Sequence, residues 1–403
     1  MIKNTFYIFA GRASNAVFLF LLTMVVSRQL GPDLFGVFSF LTAVMVSANC
    51  FSNLGLDTWM VREVTKNPSQ GKQHLSNIIG LKIGTSLITI ALIFMVFRTT
   101  SLPQTTLNLL WVLSVSLLFN TISQTLWHYG NCFKEFFYHS VLWAASNIIK
   151  AGTGIAMVLL FHELEPLILG IVVAEAIALI ISFCVIRNRF GAFVPEFQFI
   201  VWKSFLVRSA PIAMGMIFSV LYFRLDIVML QLMTGEKIVG FYSAAYRLFE
   251  VAVVLPHSFM LVLFPTLVEG YHSDQSQFKS RFKKAIVLYF LIGVCIALVL
   301  WGFSHEVIRV IYGDKFLLSA DILDILSWAI LLFFLNFLFS SLLIASGREK
   351  VNAWNLVGAT VLNIVLNLTW IPRYEAIGAA WATLLCEVML IAALSIQVRK
   401  IFD

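Results

Sequence analysis

The chain reads as an all-α, polytopic membrane protein of about twelve transmembrane helices, arranged as two six-helix lobes related by a parallel pseudo-two-fold repeat. Three observations lead there. Of 403 residues, 60% are hydrophobic and only 12% charged, with a mean hydropathy of +0.90, which over-fills any water-soluble core. Apolar runs of about 20 residues, enough for a helix to cross a ~30 Å hydrocarbon layer, recur along the whole chain. Finally, short motifs return half a chain later. Gly31-Pro32-Asp33-Leu34-Phe35-Gly36-Val37-Phe38-Ser39 is echoed by Gly235-Glu236-Lys237-Ile238-Val239-Gly240-Phe241-Tyr242-Ser243 at an offset of 204. Lys134 and Asn147 return as Lys350 and Asn363 at 216, and Gly170 within Leu169–Ala174 returns as Gly378 within Ile377–Ala382 at 208.

The first span, 5–27, runs unbroken past Arg12 to Ser27-Arg28-Gln29-Leu30-Gly31 with no small-residue cleavage pattern, so it reads as a membrane helix and not as a signal peptide. Span 36–57 delivers Asp57 to the cytoplasmic surface, where it and Arg62-Glu63 read as a gate or cap. Span 76–97 carries Lys82 near its start, counted with the cytoplasmic cations. Next come 107–128 with Asn120 and Gln124, 140–161 with Asn147 and Lys150, and 167–186 with Glu175. In the second half, 210–232 carries Arg224 and Asp226, and 241–266 carries Arg247, Glu250 and Pro265, a kink position. Spans 285–304 and 321–345 precede 353–371, with Asn363 and Asn367, and 377–398, with Glu387. The lobes are then residues 1–200 (helices 1–6) and 201–403 (helices 7–12). Because six is even, both lobes enter from one side, and ligand sites are expected between them.

Orientation follows from the lysines and arginines. Eighteen fall on the side of the termini and of the connections after even-numbered helices, six on the other, which places both termini in the cytoplasm. The net charge of +7 is therefore largely topological, and no nucleic-acid-binding motif accompanies it. Five scattered cysteines without a C-x-x-C pattern indicate neither a disulfide framework nor a metal site. No G-x-x-x-x-G-K-[ST] motif is present, so no ATPase domain is expected.

Arg12, Lys150, Arg224 and Arg247 lie inside apolar runs, where each charge costs roughly 2.5–3.5 kcal/mol to insert. Such residues line aqueous paths or grip ligands, and arginine forks suit a compact diphosphate. These four, with Asn147, are the candidate substrate-binding residues. Arg247 and Glu250, three apart on one helix, share a face and can satisfy each other, whereas Lys150 has no acid within a turn of its own helix. The intramembrane acids Glu175, Asp226, Glu250 and Glu387 are candidates for charge pairing or for ion coupling.

The segment Ser27–Ser39, with Asn53-Leu54-Gly55-Leu56-Asp57-Thr58 and Val61-Arg62-Glu63, resembles the N-terminal signature of bacterial polysaccharide (O-antigen, Wzx-type) flippases of the multidrug/oligosaccharidyl-lipid/polysaccharide exporter superfamily. Asp226–Leu230, Val239–Leu248 and Leu263-Phe264-Pro265 are similar to that family's helix 7–8 segment, and Ile377–Thr383 with Glu387 to its last helix. The resemblance implies translocation of an undecaprenyl-pyrophosphate-linked oligosaccharide across the bacterial inner membrane. It implies no resident cofactor, and a proton or sodium gradient or the membrane potential as the drive. Its implied partners are the lipid-linked substrate and membrane lipids, with a polysaccharide polymerase and a chain-length regulator working beside it. The two extra helices of the peptidoglycan-precursor flippases are missing, so lipid II is not the expected substrate. The alternatives are a cation-coupled drug or small-molecule antiporter of the same superfamily and, further off, a membrane-embedded glycan polymerase or glycosyltransferase. External loops this short offer an enzyme little to present to a sugar.

Overall fold

The computed structural model describes residues 2–271 and 275–402; the side chains of residues 2–10, 12, 13, 15, 261, 262 and 275–277 lie outside that description. The described chain is helical, with no strand. Its α-helices are α1 (Ile2–Asn53), α2 (Leu56–Lys66), α3 (Gly71–Phe97), α4 (Gln104–Cys132), α5 (Phe136–Phe161), α6 (Leu164–Phe190), α7 (Phe199–Met233), α8 (Glu236–Tyr271), α9 (Gln275–Gly302), α10 (Ser304–Tyr312), α11 (Leu318–Ala345) and α12 (Glu349–Phe402). Among the described residues, ten helices are long and apolar enough to cross a membrane. Two of them are double. α1 breaks at Gly31, whose φ of 77° suits glycine and which precedes Pro32, and α12 breaks at Glu375, three residues beyond Pro372. Each break restores a pair of expected spans, so twelve crossing segments result.

Two short helices, α2 and α10, are absent from the sequence reading. At 11 and 9 residues they are too short to span, and both are amphipathic. On α2, Leu56, Trp59, Met60 and Val64 turn inward while Arg62 is exposed. Trp59 packs its ring 4.6 Å from that of Phe205.

By packing, the chain forms two compact units. The first comprises residues 1–30 and 40–224, the second residues 31–39 and 225–403. In the first, α4 lies against α3, α5 and α6; in the second, α11 lies against α8, α9 and α12. Outward faces are apolar, as Ile88, Leu160 and Ile180 illustrate with 62%, 70% and 62% of their surfaces exposed, the composition a lipid-facing surface requires.

Within the second unit the two echoed motifs meet. A Cβ on Gly36 would stand 1.8 Å from the carbonyl oxygen of Glu236, and a Cβ on Gly240 would stand 2.0 Å from that of Pro32. Only glycine lets backbones approach so closely, the packing mode that holds helices together where lipid removes the hydrophobic drive. Phe35 completes the joint, edge-on to Phe316 at 5.7 Å.

Candidate functional site

The polar groups of the first unit gather along one face of α4. Asn120, Thr121, Gln124, Thr125 and His128 recur at helical spacing, so one stripe of an otherwise apolar helix is hydrophilic. At one end lies Asp57, 2% exposed, in the first turn of α2. Lys82, wholly buried, places its Nζ 2.7 Å from each carboxylate oxygen. Asn53 Nδ2 donates to Oδ2 at 2.7 Å and Thr125 Oγ1 to Oδ1 at 2.9 Å. Each carboxylate oxygen thus receives two donors, the satisfaction without which a buried ion pair is a liability.

At the other end Glu175, on α6, pairs with Lys150 on α5 and accepts both contacts of Asn120 Nδ2 at 3.1 Å. Amides connect the two pairs. Gln124 Nε2 donates to Asn120 Oδ1 at 2.7 Å, Asn49 Nδ2 donates to Gln124 Oε1 at 3.2 Å, and Thr121 Oγ1 reaches Asn49 Oδ1 at 3.4 Å. The Thr121 carbonyl in turn accepts from Lys82 at 3.4 Å. A continuous polar chain therefore runs from Asp57 to Lys150.

In the second unit Asp226, 1% exposed, is held by neutral donors alone: Tyr242 Oη at 2.8 Å, Thr383 Oγ1 at 3.0 Å and Asn367 Nδ2 at 3.0 Å. Asn367 Nδ2 also donates to Asn363 Oδ1 at 3.0 Å, and its own Oδ1 is buried without a protein partner. Arg247 pairs with Glu250 on its own helix, and Asn336 Nδ2 donates to the buried Glu387 carboxylate at 2.6 Å.

Against the sequence reading, the candidates divide. Lys150 has its acid after all, supplied by α6 and not by its own helix, and 26% of its side chain stays exposed. Arg247 is paired as its spacing suggested. Arg224 is half-buried at the end of the first unit, and Asn147, 8% exposed, leaves Nδ2 buried without a protein partner. The Arg12 side chain lies outside the described residues. Asp57 is not grouped with Arg62 and Glu63: it sits inside, on the buried side of α2, while Arg62 is exposed and Glu63 half-buried. Lys82 is a correction to the charge count. It is an intramembrane cation, so seventeen remain against six. The signal was present: Lys82 is the one charge in the run 75–97.

Ionisable and amide side chains buried inside bundles of membrane-crossing helices are the arrangement that transport proteins use. The polysaccharide biosynthesis protein family matches over residues 1–271, and MatE over residues 211–369. A putative O-antigen transporter from Shigella flexneri is 23% identical, aligned over 94% of this chain and 93% of its own. The capsular polysaccharide biosynthesis protein CapF of Staphylococcus aureus is 20% identical over the whole of both chains. Among solved structures, the lipid II flippase MurJ in an inward closed conformation superposes with a TM-score of 0.79 at 17% identity, covering 100% of this chain and 89% of that one. The chain belongs to the polysaccharide biosynthesis protein family.

Proposed function

We propose that this chain is a flippase carrying an undecaprenyl-pyrophosphate-linked oligosaccharide, an O-antigen or related repeat unit, from the cytoplasmic to the periplasmic leaflet of a bacterial inner membrane by alternating access. Both termini face the cytoplasm in this reading, and a polysaccharide polymerase and chain-length regulator take over the product. The observation that carries it is Lys150, an intramembrane cation held by Glu175 yet reachable, with 26% of its side chain exposed. A diphosphate oxygen takes the place of the glutamate at Nζ, so the ammonium is never left in a dry site without a counter-charge. Glu175, still held by both Asn120 contacts, returns when the diphosphate leaves, which keeps binding weak enough for release. Arg12, Arg224 and Arg247 are the further candidates for the same anion.

The drive is a proton or sodium gradient or the membrane potential, the last worth about 2.3 kcal/mol per unit charge per 100 mV for an anion moving outward. Among the four acids, Asp226 is the choice for coupling. Glu175 and Glu250 have cations, whereas every partner of Asp226 among the described residues is neutral, so a proton or sodium ion supplies what the protein does not. That same cluster favours the second reading, a cation-coupled antiporter of small molecules.

Complementation separates them. Expression in a flippase-deficient strain restores surface glycan, and Lys150→Ala abolishes the rescue while its abundance in the membrane is unchanged. If Lys150→Ala and Arg224→Ala both rescue fully, the anion site is wrong; drug resistance without restored glycan selects the antiporter.

A further inference from the structure

Between α4 and α5, inside the first unit, lies a cleft of about 430 Å³, within the size range of small-molecule sites. Its lining is unlike the surrounding bundle. Trp143, His139 and Phe136 come from α5; Gln124, His128 and Asn131 come from α4. The two helices present matched ladders. On α5, His139, Trp143, Asn147 and Lys150 follow one another at spacings of four, four and three; on α4, Asn131, His128, Gln124 and Asn120 run in the opposite direction at spacings of three, four and four. The ladders start at the α4–α5 turn, on the side that the lysine and arginine distribution assigns to the cytoplasm, and run roughly 16 Å to the Lys150–Glu175 pair.

The polar groups along this path are not fully used by the protein. Asn131 Nδ2 donates to His139 Nδ1 at 3.0 Å, and Asn131 Oδ1 is left buried without a partner. Asn147 Nδ2, further in, is in the same condition. His128 Nδ1 faces the Gln124 carbonyl at 2.9 Å and must carry the hydrogen there. Trp143 is half-buried, its ring 5.8 Å from that of His139, perpendicular to it. Aromatic faces beside amides and imidazoles match a sugar: the ring's C–H face lies on an indole and its hydroxyls both donate and accept. An acyl chain would waste the amides, and a peptide would want a paired backbone ladder.

We propose that the α4–α5 cleft is the glycan-recognition track of the transporter, with Trp143 as stacking platform and Asn131, His139 and Gln124 as hydroxyl readers, for an oligosaccharide whose diphosphate end reaches Lys150. This rests on the flippase reading and adds where the sugar, as distinct from the anion, is recognised.

The test uses the full-length chain in detergent and two probes: bare undecaprenyl pyrophosphate, and the lipid-linked glycan extracted from membranes of the native host deleted for this gene. Wild type binds the extract about tenfold more tightly than the bare lipid, one ring stacked and hydrogen-bonded. Trp143→Ala and His139→Ala each remove most of that preference while bare-lipid affinity stays within about twofold, and Trp143→Phe keeps most of it. Thermal unfolding of each variant separates loss of the track from loss of the fold, with Trp143→Phe as the arm that preserves packing. If both alanine variants bind the two probes as wild type does, or lose both equally, the track is not there. A deletion host that accumulates no lipid-linked glycan, or a wild-type chain that binds neither probe, overturns the flippase reading itself, and this proposal with it.

Discussion

Lys82→Met removes a charge from a site built to hold two. In the wild type Asp57 receives the ammonium on both oxygens at 2.7 Å, plus one donor from Asn53 and one from Thr125. Methionine fills similar space, so no cavity opens; what remains is a carboxylate buried to 2% exposure with two neutral donors. Breaking a buried pair on one side costs about 3–5 kcal/mol, a large share of the roughly 5–15 kcal/mol that holds a typical protein folded. The double variant Lys82→Met with Asp57→Leu removes both charges. Its expected cost is only about 1–3 kcal/mol, from the Asn53 amide, the Thr125 hydroxyl and the Thr121 carbonyl that lose partners. The assay is denaturant unfolding in detergent micelles followed by circular dichroism, with the double-mutant cycle closed through Asp57→Leu. A coupling of roughly 2 kcal/mol or more is expected. If Lys82→Met costs under about 1 kcal/mol, or the double variant costs the sum of the singles, the pair is not a mutually dependent unit and the account of it here is wrong.

Asp226→Asn keeps the shape of the Tyr242–Asn367–Thr383 cluster but cannot bind a proton or a sodium ion; glycan transport into vesicles should lose its dependence on an imposed ion gradient, and transport that still follows the gradient would move coupling elsewhere. Glu175→Gln frees Lys150 from its internal counter-charge, so undecaprenyl pyrophosphate should bind more tightly and turn over more slowly; weaker binding in a direct titration contradicts the exchange at Nζ. Gly36→Ala puts a methyl 1.8 Å from the Glu236 carbonyl oxygen and Gly240→Ala one 2.0 Å from that of Pro32, so each should cost about 1–3 kcal/mol, visible as a lowered melting temperature; wild-type melting in both would refute the close approach.

Hydropathy made the architecture readable because lipid constrains every crossing segment in the same way. The expected span 107–128 is the centre of Gln104–Cys132, 321–345 that of Leu318–Ala345, and the pair 353–371 and 377–398 brackets the break at Glu375. Span-length windows pass over α2 and α10, whose signal is amphipathic and only three turns or fewer long. The site was read unevenly for a different reason. Arg247 and Glu250 are three apart, so their pairing is written in the spacing. Lys150 and Glu175, like Asp57 and Lys82, lie 25 residues apart on different helices, and only the packing of α5 with α6 and of α2 with α3 brings them together. Polar residues on α4 were visible singly; that they form one chain between two ion pairs depends on which way α4 is turned, and its composition leaves that open.

The crossing of the two glycine motifs is symmetric in the sequence as well as in space. Adding 204 to Gly36 gives Gly240, and subtracting it from Glu236 gives Pro32, so the contact Gly36–Glu236 and the contact Gly240–Pro32 are one contact seen from its two ends. That is the geometry of an isologous interface, in which one patch binds its own image. The two glycines are bound to each other as a pair: a substitution tolerated at one must suit the backbone carried by the other, although they lie half a gene apart and mutate independently.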